Sequence, residues 1–247
     1  MLTVPNEFFR NRAQSEESSV SGAVWLIEYV CEQLGLRDLS ETRVLDVGCG
    51  VRFTQAFINR SIPIGQYVGI DVYKELINFL QSNVADPRFT FKHIDTHNAM
   101  YNPDGEPLVE TTDLDIPERS FDLIWLFSVF THLAPHDYVT MLKVLRRHVA
   151  PEGRLFFTLF IDENTGTGHG YTDKMSHALA ARSEASVAGQ AAPKPAPFRD
   201  GDPSRPLVYA LYSREHALEL IEGTGWQPLS IALPNPQAQH QIICSPV

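Results

Sequence analysis

The sequence predicts an α/β protein built on a mostly parallel sheet, and three observations carry that expectation. From residue 43 to residue 161, short runs of β-formers alternate with stretches of helical period, as parallel strands joined by crossover helices require. The first run, Arg43-Val44-Leu45-Asp46-Val47, ends in two glycines spaced one apart, Gly48 and Gly50, and leads into an apolar pattern that opens a helix. Roughly 20 residues later Tyr67-Val68-Gly69-Ile70 ends in a second acid, Asp71, a spacing that suits a nucleotide site at the carboxyl edge of a sheet.

In chain order, residues 1–18 are polar and form an arm or a short helix. Val20, Val24, Leu26, Ile27, Val30, Cys31 and Leu34 recur at three and four, so an amphipathic helix runs from Ser18 and stops near Gly35. Strand one is 43–47 and a helix covers 53–60. Strand two is 67–71, followed by a helix from Tyr73 to Val84 whose Leu76, Ile77 and Leu80 face the sheet. Strand three is 89–94. Residues 96–120 carry turn chemistry and form a loop. Strand four is 121–127, a helix runs from His136 to His148, and strand five is 154–161 after a turn at Pro151-Glu152-Gly153.

Residues 162–206, rich in Gly, Ala, Ser and Pro, are an insertion: a lid, a substrate-facing segment or a plain surface loop. A helix capped by Ser213 follows, then strands at 226–233 and 240–244 joined through Pro234-Asn235-Pro236. The whole reads as one domain over 1–247, with an arm and helix at 1–36 and the insertion at 162–206.

Composition narrows the partners. A formal charge of −10 repels polyanions, which excludes nucleic acid as the expected substrate. The longest apolar runs, 123–130 and 155–161, are too short to span a bilayer, and residues 1–12 show no signal peptide. Cys31, Cys49 and Cys244 are far apart and odd in number, with neither disulfide nor zinc spacing, and read as reduced cysteines of a cytoplasmic protein. No Asp, Glu or His set has the spacing of a metal site.

Val44-Leu45-Asp46-Val47-Gly48-Cys49-Gly50 resembles the glycine motif of class I S-adenosylmethionine (SAM)-dependent methyltransferases, and Asp71 falls where their ribose-binding acid falls. The resemblance continues through Phe121-Asp122-Leu123-Ile124-Trp125 and 145–155, covering residues 40–162. It implies a doubly wound, seven-stranded sheet with helices on both faces and the last strand inserted antiparallel between the fifth and sixth. It also implies that Asp46, Gly48, Cys49 and Gly50 contact the methionine moiety, Asp71 the ribose, Val72 the adenine face, and Asp95 with Thr96 the adenine edge. Phe127 and Ser128 would end strand four beside the transferred methyl. Arg52 stands where many such motifs carry a third glycine; it pairs with the methionine carboxylate or is a solvated surface residue.

Charge separates this reading from an NAD-binding Rossmann oxidoreductase. The dinucleotide fingerprint wants glycine where Phe53 stands and cradles a pyrophosphate, toward which Asp46 would point a carboxylate. SAM carries a sulfonium and an ammonium instead.

The expected reaction moves a methyl group to a small or medium acceptor, a hydroxyl of a sugar, glycolipid or natural product, leaving S-adenosylhomocysteine. An alkyl hydroxyl calls for a base, and His132, just past strand four, is the first candidate. His136, Asp162, Glu163, His169, Tyr171, Tyr212 and His240 are weaker ones. A non-catalytic binding or scaffolding protein of the same fold is the alternative.

Overall fold

A computed structural model of the chain describes residues 1–9, 15–174, 196–202, 204–234 and 239–247. Residues 10–14 of the expected arm, 175–195 and 203 of the insertion, and 235–238 of the last connection lie outside them. The chain divides into two compact units, Met1–Phe127 with Arg147–Arg154, and Ser128–Arg146 with Leu155–Val247.

In the first unit, α1 (Glu16–Leu34) starts before Ser18 because Ser15 is the cap: its side chain accepts from Ser18 N, and Glu16 and Glu17 occupy the positive end of the helix. The helix stops at Gly35, whose φ of 65° suits glycine. Then come β1 (Leu39–Val47), α2 (Arg52–Asn59), β2 (Ile64–Asp71), α3 (Lys74–Asn83), β3 (Phe89–His93) and β4 (Phe121–Leu126). These four strands lie in the order β3-β2-β1-β4, all parallel, with Asp46 opposite Gly69 and Trp125, and Asp71 opposite His93. Their carboxyl ends therefore share one edge, where ligands of open α/β sheets bind.

The face covered by α2 is aromatic. Phe53 packs on Trp125 with ring centroids 5.0 Å apart, and Phe57 on Tyr67 at 5.6 Å. The N-terminal arm is tied to the same helix: Leu2 and Val4 are buried, Leu2 N donates to Asn59 Oδ1 (2.6 Å), and the Gln55 and Asn59 amides donate to Leu2 O. A single 3₁₀ turn, Asn6–Phe8, then sets the Phe8 ring against Tyr73 and Phe79.

β5 (Val149–Ile161) begins in the first unit and continues into the second. The expected turn at residues 151–153 is instead part of this strand. Gly153 serves close approach: a Cβ there would lie 2.7 Å from the Phe121 carbonyl oxygen.

The second unit holds α4 (Pro135–Arg146), the rest of β5, β6 (Phe198–Asp200), β7 (Ala210–Tyr212), α5 (Arg214–Glu219), β8 (Trp226–Ala232) and β9 (His240–Pro246). As the sequence implies, the last strand lies between two others and is antiparallel to both, with His240 opposite Leu159 and Ile242 opposite Ile231. Nine strands occur among the described residues, where seven were expected. The additional pair is β6, inside the insertion, and β7, which runs parallel to β5 and antiparallel to β6. Three-residue strands are too short to show a period, so pattern reading passes over them.

Candidate functional site

The first unit builds a turn around two carboxylates. After β1, Gly48 (φ 69°) and Gly50 (φ 49°) adopt left-handed backbone that a side chain would strain. The Gly48 and Cys49 N–H groups donate to Ile70 O (2.8 and 3.1 Å), which folds the turn over the end of β2. Asp71 then closes it, accepting from Gly50 N at Oδ2 (2.9 Å) and from Tyr73 N at Oδ1 (3.0 Å). One carboxylate thus sets both the glycine turn and the entry to α3. Burial raises the Asp71 carboxyl above its usual range, opposed by backbone N–H groups of Gly50, Tyr73 and Val72.

Asp46 is 1% exposed, sealed against the aromatic face under α2. Its Oδ2 accepts from the Tyr67 hydroxyl at 2.5 Å. Among the described residues the Trp125 indole N–H closes no hydrogen bond, yet it lies near enough to favour the charged form of Asp46. Burial dominates and pushes this carboxyl up to about 7; Asp71 adds to the rise, while Tyr67, Trp125 and Arg52 oppose it.

Arg52 is half-buried at the start of α2, with its guanidinium carbon 5.2 Å from the Phe53 ring centroid. Burial lowers its pKa, and the nearby Asp46 raises it. A cation at a helix N-terminus opposes the helix dipole, so Arg52 gains nothing from the dipole of α2.

Farther along the edge, Val72 O accepts from His93 Nε2 (3.2 Å). Asp95 is exposed and Thr96 buried; the Asn102 amide donates to Asp95 Oδ1 (2.9 Å) and to Thr96 O (3.1 Å), tying the 96–105 loop to the end of β3. Phe127 packs its ring on Phe53, 4.9 Å between centroids. The structure therefore groups Asp46, Gly48, Cys49, Gly50, Arg52 and Asp71 around one turn, with Val72, Asp95, Thr96 and Phe127 along the same unit's edge.

Sequence reading missed Tyr67, Tyr73, Tyr101 and Asn102 here. Tyr73 stacks on Tyr101, with centroids 5.9 Å apart and planes at 27°. A signal for Tyr67 existed: Asp46 pairs with Gly69, so two-residue alternation puts Tyr67 on the Asp46 face.

The other two predicted residues, Ser128 and His132, belong to the second unit. Ser128 (φ 60°) donates its N–H to Thr158 Oγ1 (2.8 Å), and its hydroxyl meets the Gln239 amide at 2.9 Å. His132 sits in a 3₁₀ turn, Phe130–His132, and its Nδ1 donates to Leu207 O at 3.0 Å. At the end of β5, Glu163 is clasped by Arg214 (2.9 and 2.6 Å) and bonded to His240 Nε2 (2.8 Å).

The donor set of the first unit fits a cationic ligand. Two carboxylates held up in pKa by burial gain from positive charge, and a diphosphate beside them would be repelled. Among the described residues no group of three or more His, Cys, Asp or Glu is placed to hold a metal, and no helix is long and apolar enough to cross a membrane.

Residues 44–153 match the family described as a methyltransferase domain. An uncharacterized methyltransferase of Schizosaccharomyces pombe is 26% identical over 130 residues, 52% of this chain and 44% of that protein. The matched stretch thus spans less than half of that relative's length.

Among solved structures, the Burkholderia thailandensis 1,6-didemethyltoxoflavin-N1-methyltransferase, with 1,6-didemethyltoxoflavin and S-adenosylhomocysteine bound, aligns at TM-score 0.55 and 17% identity. That alignment covers 94% of this chain and 79% of that one. The mitomycin 7-O-methyltransferase MmcR aligns at TM-score 0.54 and 14% identity over 93% of this chain and 54% of that one. At these identities the structures establish a common fold.

Proposed function

We propose that this chain, of which residues 44–153 match a methyltransferase domain, is a class I SAM-dependent methyltransferase that transfers the SAM methyl group to a hydroxyl of a small or medium-sized acceptor, a sugar, glycolipid or natural product. The observation that carries the reading is the pair Asp46 and Asp71 about one glycine turn. Asp71 would hold the ribose hydroxyls, and the charge of Asp46 would offset the ligand's positive groups. Val72, Asp95 and Thr96 would receive the adenine, and Arg52 the methionine carboxylate. When bound, SAM supplies a methyl carbon already attached to a good leaving group, so the protein's work is to hold and align the acceptor, exclude water and take up its proton. A hydroxyl acceptor calls for a base to take up its proton, and His132 is the histidine that the sequence reading favours for it.

Titration calorimetry with SAM, S-adenosylhomocysteine and NAD tests the reading. Binding of the first two and not of NAD is the expected result. Retention of a dinucleotide with indifference to SAM overturns it. Binding of SAM with no transfer to any hydroxyl or amine acceptor would favour the non-catalytic alternative.

A further inference from the structure

On the α2 face of the first unit, two buried donors stand beside the Tyr67–Asp46 pair with no partner of their own. Asp46 and Trp125 are opposite each other on β1 and β4, and Tyr67 on β2 is opposite Val44, so Asp46, Tyr67 and Trp125 share one face of the sheet. Helix α2 fixes both rings: Phe53 lies 5.0 Å and Phe57 6.4 Å from Trp125, and Phe57 lies 5.6 Å from Tyr67, centroid to centroid. Asp46 Oδ2 accepts from the Tyr67 hydroxyl at 2.5 Å. The Trp125 indole N–H and the Thr54 hydroxyl are fully buried and close no hydrogen bond among the described residues. The indole lies near enough to Asp46, and the Thr54 hydroxyl near enough to the Tyr67 phenol, to favour the charged form of each. Buried polar groups are nearly always paired, so two orphans beside one carboxyl call for an explanation.

A charge on Asp46 supplies one. A neutral carboxyl is a weak acceptor, whereas hydrogen bonds to an ionised acceptor are shorter and about twice as strong. We infer that Trp125 and Tyr67 are positioning residues for SAM: their N–H and O–H form a two-donor seat that closes on Asp46 as it ionises beside the ligand's positive charge, with the Thr54 hydroxyl donating to the Tyr67 oxygen. This rests on the methyl-transfer reading above and deepens it by naming what holds the charge. Asp46 is 1% exposed, so what it offers a ligand at the glycine turn is charge, and a buried charge needs donors. The other charged or titratable groups beside it divide: Asp71 disfavours its ionisation, Arg52 favours it, and burial holds the Cys49 thiol well above its ordinary range and therefore neutral. In the ligand-free protein burial pushes the Asp46 carboxyl up to about 7, so at pH 6 most of it is protonated. A second donor and a nearby cation both favour the carboxylate, so ligand binding and closure of the seat reinforce each other. Every group involved belongs to the same compact unit.

The test follows the indole N–H signals of the full chain, labelled with ¹⁵N, in proton–nitrogen correlation spectra. The chain has three tryptophans. Trp125 is assigned by its loss in Trp125→Phe or, if that variant fails to fold, by elimination with Trp25→Phe and Trp226→Phe. At pH 6 the Trp125 indole proton should move downfield on saturation with SAM. The free protein taken from pH 6 to 8.5 should show the same downfield shift, and Asp46→Asn should show neither. An indole signal unmoved by SAM or by pH, or one that moves equally in Asp46→Asn, overturns the inference. Trp125→Phe and Tyr67→Phe should each weaken SAM binding at pH 7 by about tenfold, the low end for a hydrogen bond to a charged group. Each should also displace the rise of SAM affinity to higher pH. A merely structural role for either ring would lower stability and leave that pH profile where it is, which likewise overturns the inference. Calorimetry on the same samples keeps the two levels apart. Failure of the wild type to bind SAM defeats the function, whereas intact SAM binding with a static indole defeats only the seat.

Discussion

Tyr67 donates its phenolic hydrogen to a buried Asp46 carboxyl at 2.5 Å, so the donor seated on this acid is a neutral hydroxyl. Burial, which this hydrogen bond only partly opposes, poises the acid near pH 7 rather than near its ordinary 3.8. A native pKa above the unfolded value means that the folded, ligand-free protein binds this proton more tightly. Its contribution to stability is fully present below about pH 4 and is lost as pH rises toward 7, by on the order of 4 kcal/mol. Denaturant unfolding of the wild type from pH 5 to 8 should therefore show a steeper loss of stability than unfolding of Asp46→Asn. Parallel curves for the two proteins would show that Asp46 does not titrate there.

The same proton should respond to the cofactor. A cationic ligand favours ionised Asp46, so SAM binding below pH 7 should release a fraction of a proton, seen as a binding enthalpy that depends on the buffer's ionisation heat. SAM affinity should rise between pH 6 and 8. In Asp46→Asn both effects should vanish.

Asp71 has a double attachment, accepting from Gly50 N and Tyr73 N while facing the expected ribose position. Asp71→Ala should weaken SAM binding by about 1–3 kcal/mol, since it removes charge-assisted hydrogen bonds and frees the glycine turn. Asp71→Asn keeps one acceptor oxygen and should fall between the two. An affinity unchanged in Asp71→Ala would remove this residue from the cofactor site.

Sequence legibility followed period and length. The strands of the first unit were readable because each joins a run of Val, Leu and Ile to a turn or an acid, and the 20-residue interval from the glycine motif to Asp71 is a spacing along the chain. The environment of Asp46 was not readable, because Tyr67 reaches it from another strand and α2 seals it with Phe53 and Phe57. Likewise, nothing in the segment around His240 reveals that Glu163 and Arg214, 77 and 26 positions away, hold its ring, since that cluster exists only once β9 lies against β5. Gly153 was misread for a related reason. A glycine after proline suggests a turn, and only the neighbouring strand shows that it serves close approach.

That close approach is itself testable. A Cβ at residue 153 would meet the Phe121 carbonyl oxygen at 2.7 Å and Val149 Cγ2 at 2.7 Å, and the first of these is backbone that cannot rotate away. Gly153→Ala should destabilise the fold by about 1–3 kcal/mol, the range for forcing extra volume into a packed site. At Gly50 a Cβ meets nothing within 4 Å, and the cost is only that of left-handed backbone at φ 49°. Gly50→Ala should then lose about 1–2 kcal/mol, with its larger effect on SAM affinity, because that N–H is held by Asp71. Thermal melts and calorimetry on both variants separate stability from binding; equal stability of Gly153→Ala and wild type would contradict the packing described.

Phe8 links the N-terminal arm to the start of α3 and, through Tyr73, to the 96–105 loop. Its ring lies 5.8 Å from Tyr73 and 5.2 Å from Phe79, and Tyr73 stacks on Tyr101 of the 96–105 loop while its N–H holds Asp71. Aromatic pairs add about 0.5–1.5 kcal/mol beyond the area they bury, and a half-exposed ring such as Phe8 belongs at the low end. Phe8→Ala should thus lower global stability by no more than about 1 kcal/mol. Its effect on SAM should be of similar size, roughly a three- to fivefold weaker Kd, because Tyr73 is left less constrained beside Asp71. Phe8→Leu, which restores apolar bulk without the ring, should recover stability but only part of the affinity. If Phe8→Ala binds SAM as tightly as wild type, the arm is anchored on α3 for packing alone and the cofactor site does not depend on it.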